Sequence, residues 1–222
     1  MASTLHRLTL ALALALPCAP LLAADNVSKV NGSIEASAGQ EYGDLDTVNG
    51  SIRIGDGAQV QDASTVNGSI TVGANAQVGS LETVNGAIRT GRGIRASGGL
   101  ETVNGSIFVD HGSVIQGGVE TVNGAIGLVG TQVDGNIDTV NGDVTVGVGS
   151  HVKGGLTVQR SRGLFNTGSK RKPRIVIGPN AVVEGPLEFQ REVRLYVHAS
   201  ARTGKITGAE AVRFDSDTAP QD

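Results

Sequence analysis

The sequence has no Trp, two Tyr and four Phe in 222 residues, with one Cys and one Met. So few aromatics leave the interior to small branched side chains. A compact globule of this length ordinarily uses more large ones, so a narrow, elongated interior fits better. A single Cys excludes a disulfide framework within one chain. Proline is scarce, and Gly and Pro together make 39 residues, about 18%, below the roughly 25–30% that marks low-complexity chains. The net charge of −3 is small, but its distribution is not even: residues 25–150 hold 14 acids against 5 bases, and residues 151–222 hold 12 bases against 7 acids. What is abundant is glycine, 33 residues or about 15%, roughly twice the usual share, and without the every-third-residue period of collagen.

Residues 1–24 read as a secretory signal. Arg7 is the basic residue ahead of an apolar run from Leu8 to Leu16 that is too short to span a bilayer. Pro17 and Pro20 break the run, and Leu22-Ala23-Ala24 offers a small-residue cleavage site before Asp25. A lipid anchor on Cys18 is the less favoured reading, because Pro17 is a poor fit to the small residue expected before it. The expectation is an exported chain, in the periplasm or on the surface of a bacterium, with no transmembrane segment after cleavage.

The tripeptide Val-Asn-Gly occurs seven times, with Asn31, Asn49, Asn67, Asn85, Asn104, Asn123 and Asn141 spaced 18 or 19 residues apart. Six copies are preceded by Thr47, Thr65, Thr83, Thr102, Thr121 and Thr139. Alternating apolar positions mean strand, and Val66, Ile70 and Val72 are expected to share one face. Two further short strands, through Ala76/Val78 and Leu81/Val84, complete a unit with glycines at its bends. Asn-Gly between alternating apolars is also a hairpin signal, so an antiparallel meander is the competing fold. The near-constant period favours an all-β, three-sided parallel β-helix (a β-solenoid) of about 18 residues per rung, because rungs that stack in register cannot vary in length. In such a coil the seven Asn form a structural ladder and the six Thr line a second row, a candidate binding face for polysaccharide or even ice.

After Val158, Gln159 and Arg160 replace Asn-Gly, and about 13 extra residues intervene before Ile175. This basic insertion, 159–174, carries Arg160, Arg162, Lys170, Arg171, Lys172 and Arg174 and no acid, a candidate anion-binding loop for lipopolysaccharide phosphates or acidic envelope polysaccharide. Nucleic acid is the weakest partner, since only Phe165 interrupts the bases as an aromatic. The coil is expected to resume over 175–214, with Ile175/Ile177, Val193/Leu195 and Val212/Phe214 as successive pairs, and to end in a polar tail, 215–222. The domain order is therefore signal 1–24, repeat solenoid 25–158, insertion 159–174, C-terminal rungs 175–214 and tail. About ten rungs make a rod of roughly 50 Å.

Catalytic chemistry needs convergent titratable groups. His111, His151 and His198 fall at different offsets in the repeat, and Glu82, Glu101 and Glu120 form only a short row at one bend. No catalytic residue, metal site or cofactor is indicated, and a polysaccharide lyase is the least favoured reading. The repeated Thr-Val-Asn-Gly-Ser-Ile units resemble adhesin-like domains of bacterial envelope proteins. The stretch Ile175-Val176-Ile177-Gly178-Pro179-Asn180-Ala181-Val182-Val183-Glu184-Gly185, followed by Gly204-Lys205-Ile206-Thr207-Gly208, is similar to bactofilins, the polymer-forming cytoskeletal family. That resemblance implies a three-sided right-handed β-helix that polymerises end to end without nucleotide. The cleaved signal and the basic insertion depart from the bactofilin pattern. The expectation is a non-catalytic envelope scaffold or adhesin-like module, assembling as a homopolymer.

Overall fold

The computed structural model describes residues 24–160 and 171–221. The signal and its Cys18, together with Arg162, Phe165 and Lys170 of the insertion, lie outside the described residues. The chain winds as a parallel β-solenoid of about ten turns and about 18 residues per turn, with no helix among the described residues. Every turn contributes strands to three columns. The first, here the isoleucine face, is a ten-stranded sheet running from Ile34–Ala36 to Ala211–Phe214. The second, the short face, holds two-residue strands from Gln59–Val60 to Arg202–Thr203. The third, the asparagine face, runs from Asp25–Asn31 to Ile206–Thr207. The last two faces join into one eighteen-stranded sheet, because Glu41–Asn49 serves both: Tyr42 pairs with Val60 and Leu45 with Ala63.

Equivalent residues stack directly: Ile70, Ile88 and Ile107 are successive neighbours, as are Leu81, Leu100 and Val119. All pairings are parallel, which requires a strand to meet its successor only after a full turn. The core is a single column of Ile, Leu, Val and Ala; among the described residues, the buried aromatics are Phe189 and Phe214 near the C-terminal end, and Tyr42 packs against the column at the other. A narrow interior explains the aromatic shortage. The bends explain much of the glycine. At the Asn-Gly corner a Cβ on Gly86 would run into the carbonyl oxygen of Gly68 one turn below, so the corner can stack only without a side chain. A second corner takes a left-handed residue in turn after turn from Gly39 to Asn180; Asn75 fills that role at φ 57 where its neighbours use Gly57 and Gly93.

Two registers differ from the sequence expectation. The Asn-Gly corner resets the inside-outside alternation, so Thr83 is inside at 4% exposure while Val84 is outside at 40%. Val66 likewise faces outward, away from Ile70 and Val72. Beyond the insertion, Ile175 pairs with Leu195 and Leu195 with Ala211, steps of 20 and 16 residues. Val193 is therefore not the partner of Ile175, and Val212 points outward at 53% exposure. The extra residues of the longer step include Arg191, whose guanidinium reaches back to the Val140 carbonyl at 3.1 Å.

Candidate functional site

The asparagine face presents three parallel rows. The Asn row is a continuous amide ladder: Nδ2 of Asn49, Asn67, Asn85, Asn104 and Asn123 each donates to Oδ1 of the Asn one turn before at 3.0 Å, and Asn141 does so at 2.9 Å. All amide dipoles point the same way, so the ladder has a donor end at Asn31 and an acceptor end at Asn141. Arg191 Nη1 donates to the Asn141 oxygen and places a cation at the negative end, by the same logic that places cations at helix C-termini. No repeat motif marked Arg191; only its position, in a turn of 20 residues where the Val-Asn-Gly repeat keeps 18 or 19, set it apart.

The Thr row is corrected from a candidate binding face to an interior lock. Thr47, Thr65, Thr83, Thr102, Thr121 and Thr139 are all buried. Thr65 and Thr83 donate to the carbonyls of Gly50 and Gly68 at 2.9 Å, and Thr47, Thr102 and Thr121 to Gly32, Gly86 and Gly105 at 3.1 Å. Thr139 instead accepts from the Gly142 amide at 3.0 Å. Each hydroxyl satisfies or fixes a buried corner, which is why a polar residue is tolerated inside.

The outward rows between these are apolar and acidic. Val48, Val66, Val84 and Val103 are exposed one above another. Beside them run Glu82, Glu101, Glu120 and Asp138, stacked residue on residue. A shallow groove of about 300 Å³ separates the two rows. Burial, with Asp138 and Glu101 on either side, raises the Glu120 carboxyl above its ordinary range. A larger polar groove of about 780 Å³ follows the short face and its bend, lined by Glu41, Asp62, Gln59, Gln77, Arg95 and Gln116.

The described bases of the insertion are engaged by the protein itself. Arg171 pairs with the Asp143 carboxylate, whose other oxygen accepts the Arg174 amide at 2.8 Å. Lys172 meets Glu192 at 2.9 Å, and Arg160 Nε donates to the Gln190 carbonyl at 3.3 Å. Arg174 lies over the Tyr196 ring at 5.0 Å and donates to the Pro220 carbonyl at 2.8 Å. Asp143 thus anchors the re-entry of the chain; the signal for it was an acid following Asn-Gly where most repeats carry Ser or Ala. The three described histidines sit apart, each with a local partner: Asp110 for His111, Glu184 for His151 and Ser200 for His198. Among the described residues no group of three His, Cys, Asp or Glu is placed to hold a metal.

Among the described residues, both ends of the rod are open edges. Asp25–Asn31 and Ile34–Ala36 pair on one side only, as do Arg202–Thr203, Ile206–Thr207 and Ala211–Phe214. Core positions there remain partly exposed, Val27 and Tyr42 at one end and Ile206 and Ala211 at the other. Compared with family models, with curated proteins and with solved structures, the chain matches none.

Proposed function

We propose that the chain is a non-catalytic, exported β-solenoid that serves as a cell-envelope scaffold or adhesin-like module and assembles end to end. The observation that carries this reading is the pair of open terminal turns. Unpaired strand edges over an apolar end recruit another strand unless something caps them. The tail does not extend the coil: Ala219 and Pro220 return to Arg174, and the groove there also reaches Thr145 one turn further back. The scattered histidines and the internally paired bases favour a structural role over a catalytic one, and residues 1–24 support export. The resemblance to adhesin-like repeats and to bactofilins points the same way. Light scattering and negative-stain images of the processed chain over rising concentration test it. Filaments or a growing mass are expected; monomers at every concentration would sink the proposal.

The large polar groove favours a second reading, binding of a polysaccharide chain along the short face. Its lining of Glu, Asp and Gln suits a neutral glycan better than an acidic one. Gln77→Ala is expected to weaken binding about tenfold, the loss of one or two hydrogen bonds, and an unchanged signal on a glycan array would exclude this groove.

A further inference from the structure

We infer that the rods join head to tail, the first turn of one copy seated on the last turn of another, which gives a filament with polarity. This rests on the self-assembly reading and specifies its partner surface. Three observations carry it, and the first is charge. The first turn holds Asp25, Glu35 and Glu41 against Lys29, a balance of −2, with Asp44 and Asp46 one turn in. The last three strands, 202–214, hold Arg202, Lys205 and Arg213 against Glu210, a balance of +2. Joining like ends would bring like charges together; joining unlike ends brings opposite charges together.

The second is strand direction. All pairs within the rod are parallel. A head-to-tail joint continues that pattern, whereas a two-fold joint at either end would require antiparallel ladders. The third is register. Each column can be carried across the joint by counting. The isoleucine face sets Ala211 opposite Ile34 and Val212 opposite Glu35, an apolar pair inside and a mixed pair outside. The asparagine face sets Ile206 opposite Val27, so two half-exposed core residues complete each other. Asp25 pairs with Tyr42 within its own chain and thereby supplies the missing short-face position over Thr203. Such an interface repeats without closing, because it is heterologous and lies along one axis.

Ser28 and Thr207 fall opposite each other at this joint, both exposed and on the outer side of the asparagine face. At the inter-strand spacing of about 4.8 Å their Cα atoms lie within disulfide range. The processed chain carries no other Cys, since Cys18 precedes the cleavage site. Under mild oxidation the Ser28→Cys/Thr207→Cys variant is expected to give a ladder of disulfide-linked multimers on a non-reducing gel, and each single variant to stay monomeric. Dimers from Ser28→Cys alone or Thr207→Cys alone, or assembled double variant that fails to link beyond a dimer, would overturn head-to-tail joining and leave self-assembly standing. Wild-type protein that remains monomeric by light scattering would instead overturn both.

Discussion

At the scale of single residues, the repeat is set by what a corner can accommodate. Gly86 and Gly57 are both corner glycines, but they are glycine for different reasons. Gly86 has an unremarkable φ, and its α-hydrogen faces the Gly68 carbonyl where a methyl has no room. Gly57 has open space around it and a φ of 65. Gly86→Ala must push two stacked turns apart and is expected to cost about 3 kcal/mol, the upper range for overpacking. Gly57→Ala should cost only about 1 kcal/mol, the left-handed penalty alone, and Gly57→Asn less still, since Asn75 already holds that corner. Urea melts of the three variants check the order; equal losses at Gly86 and Gly57 would show that conformation, and not contact, fixes the first corner. Thr83 belongs to the same logic. Its hydroxyl is held to the Gly68 carbonyl at 2.9 Å, so Thr83→Val is expected to destabilise by about 1 kcal/mol although its shape is kept.

At the scale of strands and rows, the Asn ladder behaves as one element because every amide both donates and accepts. Asn85→Ala removes two exposed hydrogen bonds and should cost about 1 kcal/mol. Asn85→Asp keeps an acceptor for Asn104 but turns a second oxygen toward Asn67 Oδ1, so it is expected to be the worse variant at pH 7. Protonation restores a donor, and the gap between the two variants should close below about pH 4; thermal melts across pH measure it. The ladder was legible from the sequence because seven Asn at one spacing can do little else in a stacked coil. The period, the strand class and the length of the insertion were legible for the same reason. The inward or outward sense of Thr and Val was not. Alternation holds within a strand, and the Asn-Gly corner between Thr65 and Ile70 consumes an odd number of steps, which inverts the phase. The C-terminal register was hidden too, since no Asn-Gly marks the corners after Val158 and turns of 20 and 16 residues average to 18. Pairings such as Asp143 with Arg171 and Arg191 with Asn141 join residues far apart in the chain, where spacing carries no information.

At the scale of the whole rod, stacking identical turns also stacks identical charges, and this sets how stability depends on pH. Glu82, Glu101, Glu120 and Asp138 repeat one turn apart, well inside the screening length of about 10 Å at 0.1 M salt. Glu120, flanked on both sides, has its carboxyl raised by burial and by Asp138 and Glu101. A carboxyl raised on folding binds more protons folded than unfolded, so its penalty is present at neutral pH and is relieved as the pH falls through its folded value toward the ordinary carboxylate range. Asp110, Asp134 and Glu192 act in the opposite sense. The His111 amide on the first, and the ammonium groups of Lys153 and Lys172 on the others, lower their carboxyls, and the stability these bonds give is lost as the pH falls below the ordinary range. The two sets therefore predict a maximum: the melting temperature rises from pH 7 to about pH 5 and then falls. Glu120→Gln removes the rise while leaving the acid-side loss, and should raise the melting temperature at pH 7 by about 1–2 °C, the scale of a surface substitution in a chain of this size. Added salt should give the wild type only part of what the substitution does, because it screens the Asp138 and Glu101 charges and leaves the burial cost of Glu120 in place. A wild-type melting temperature that falls steadily from pH 7 downward, or a Glu120→Gln variant less stable than wild type at neutral pH and low salt, would mean that the acidic row is compensated by cations held along that face.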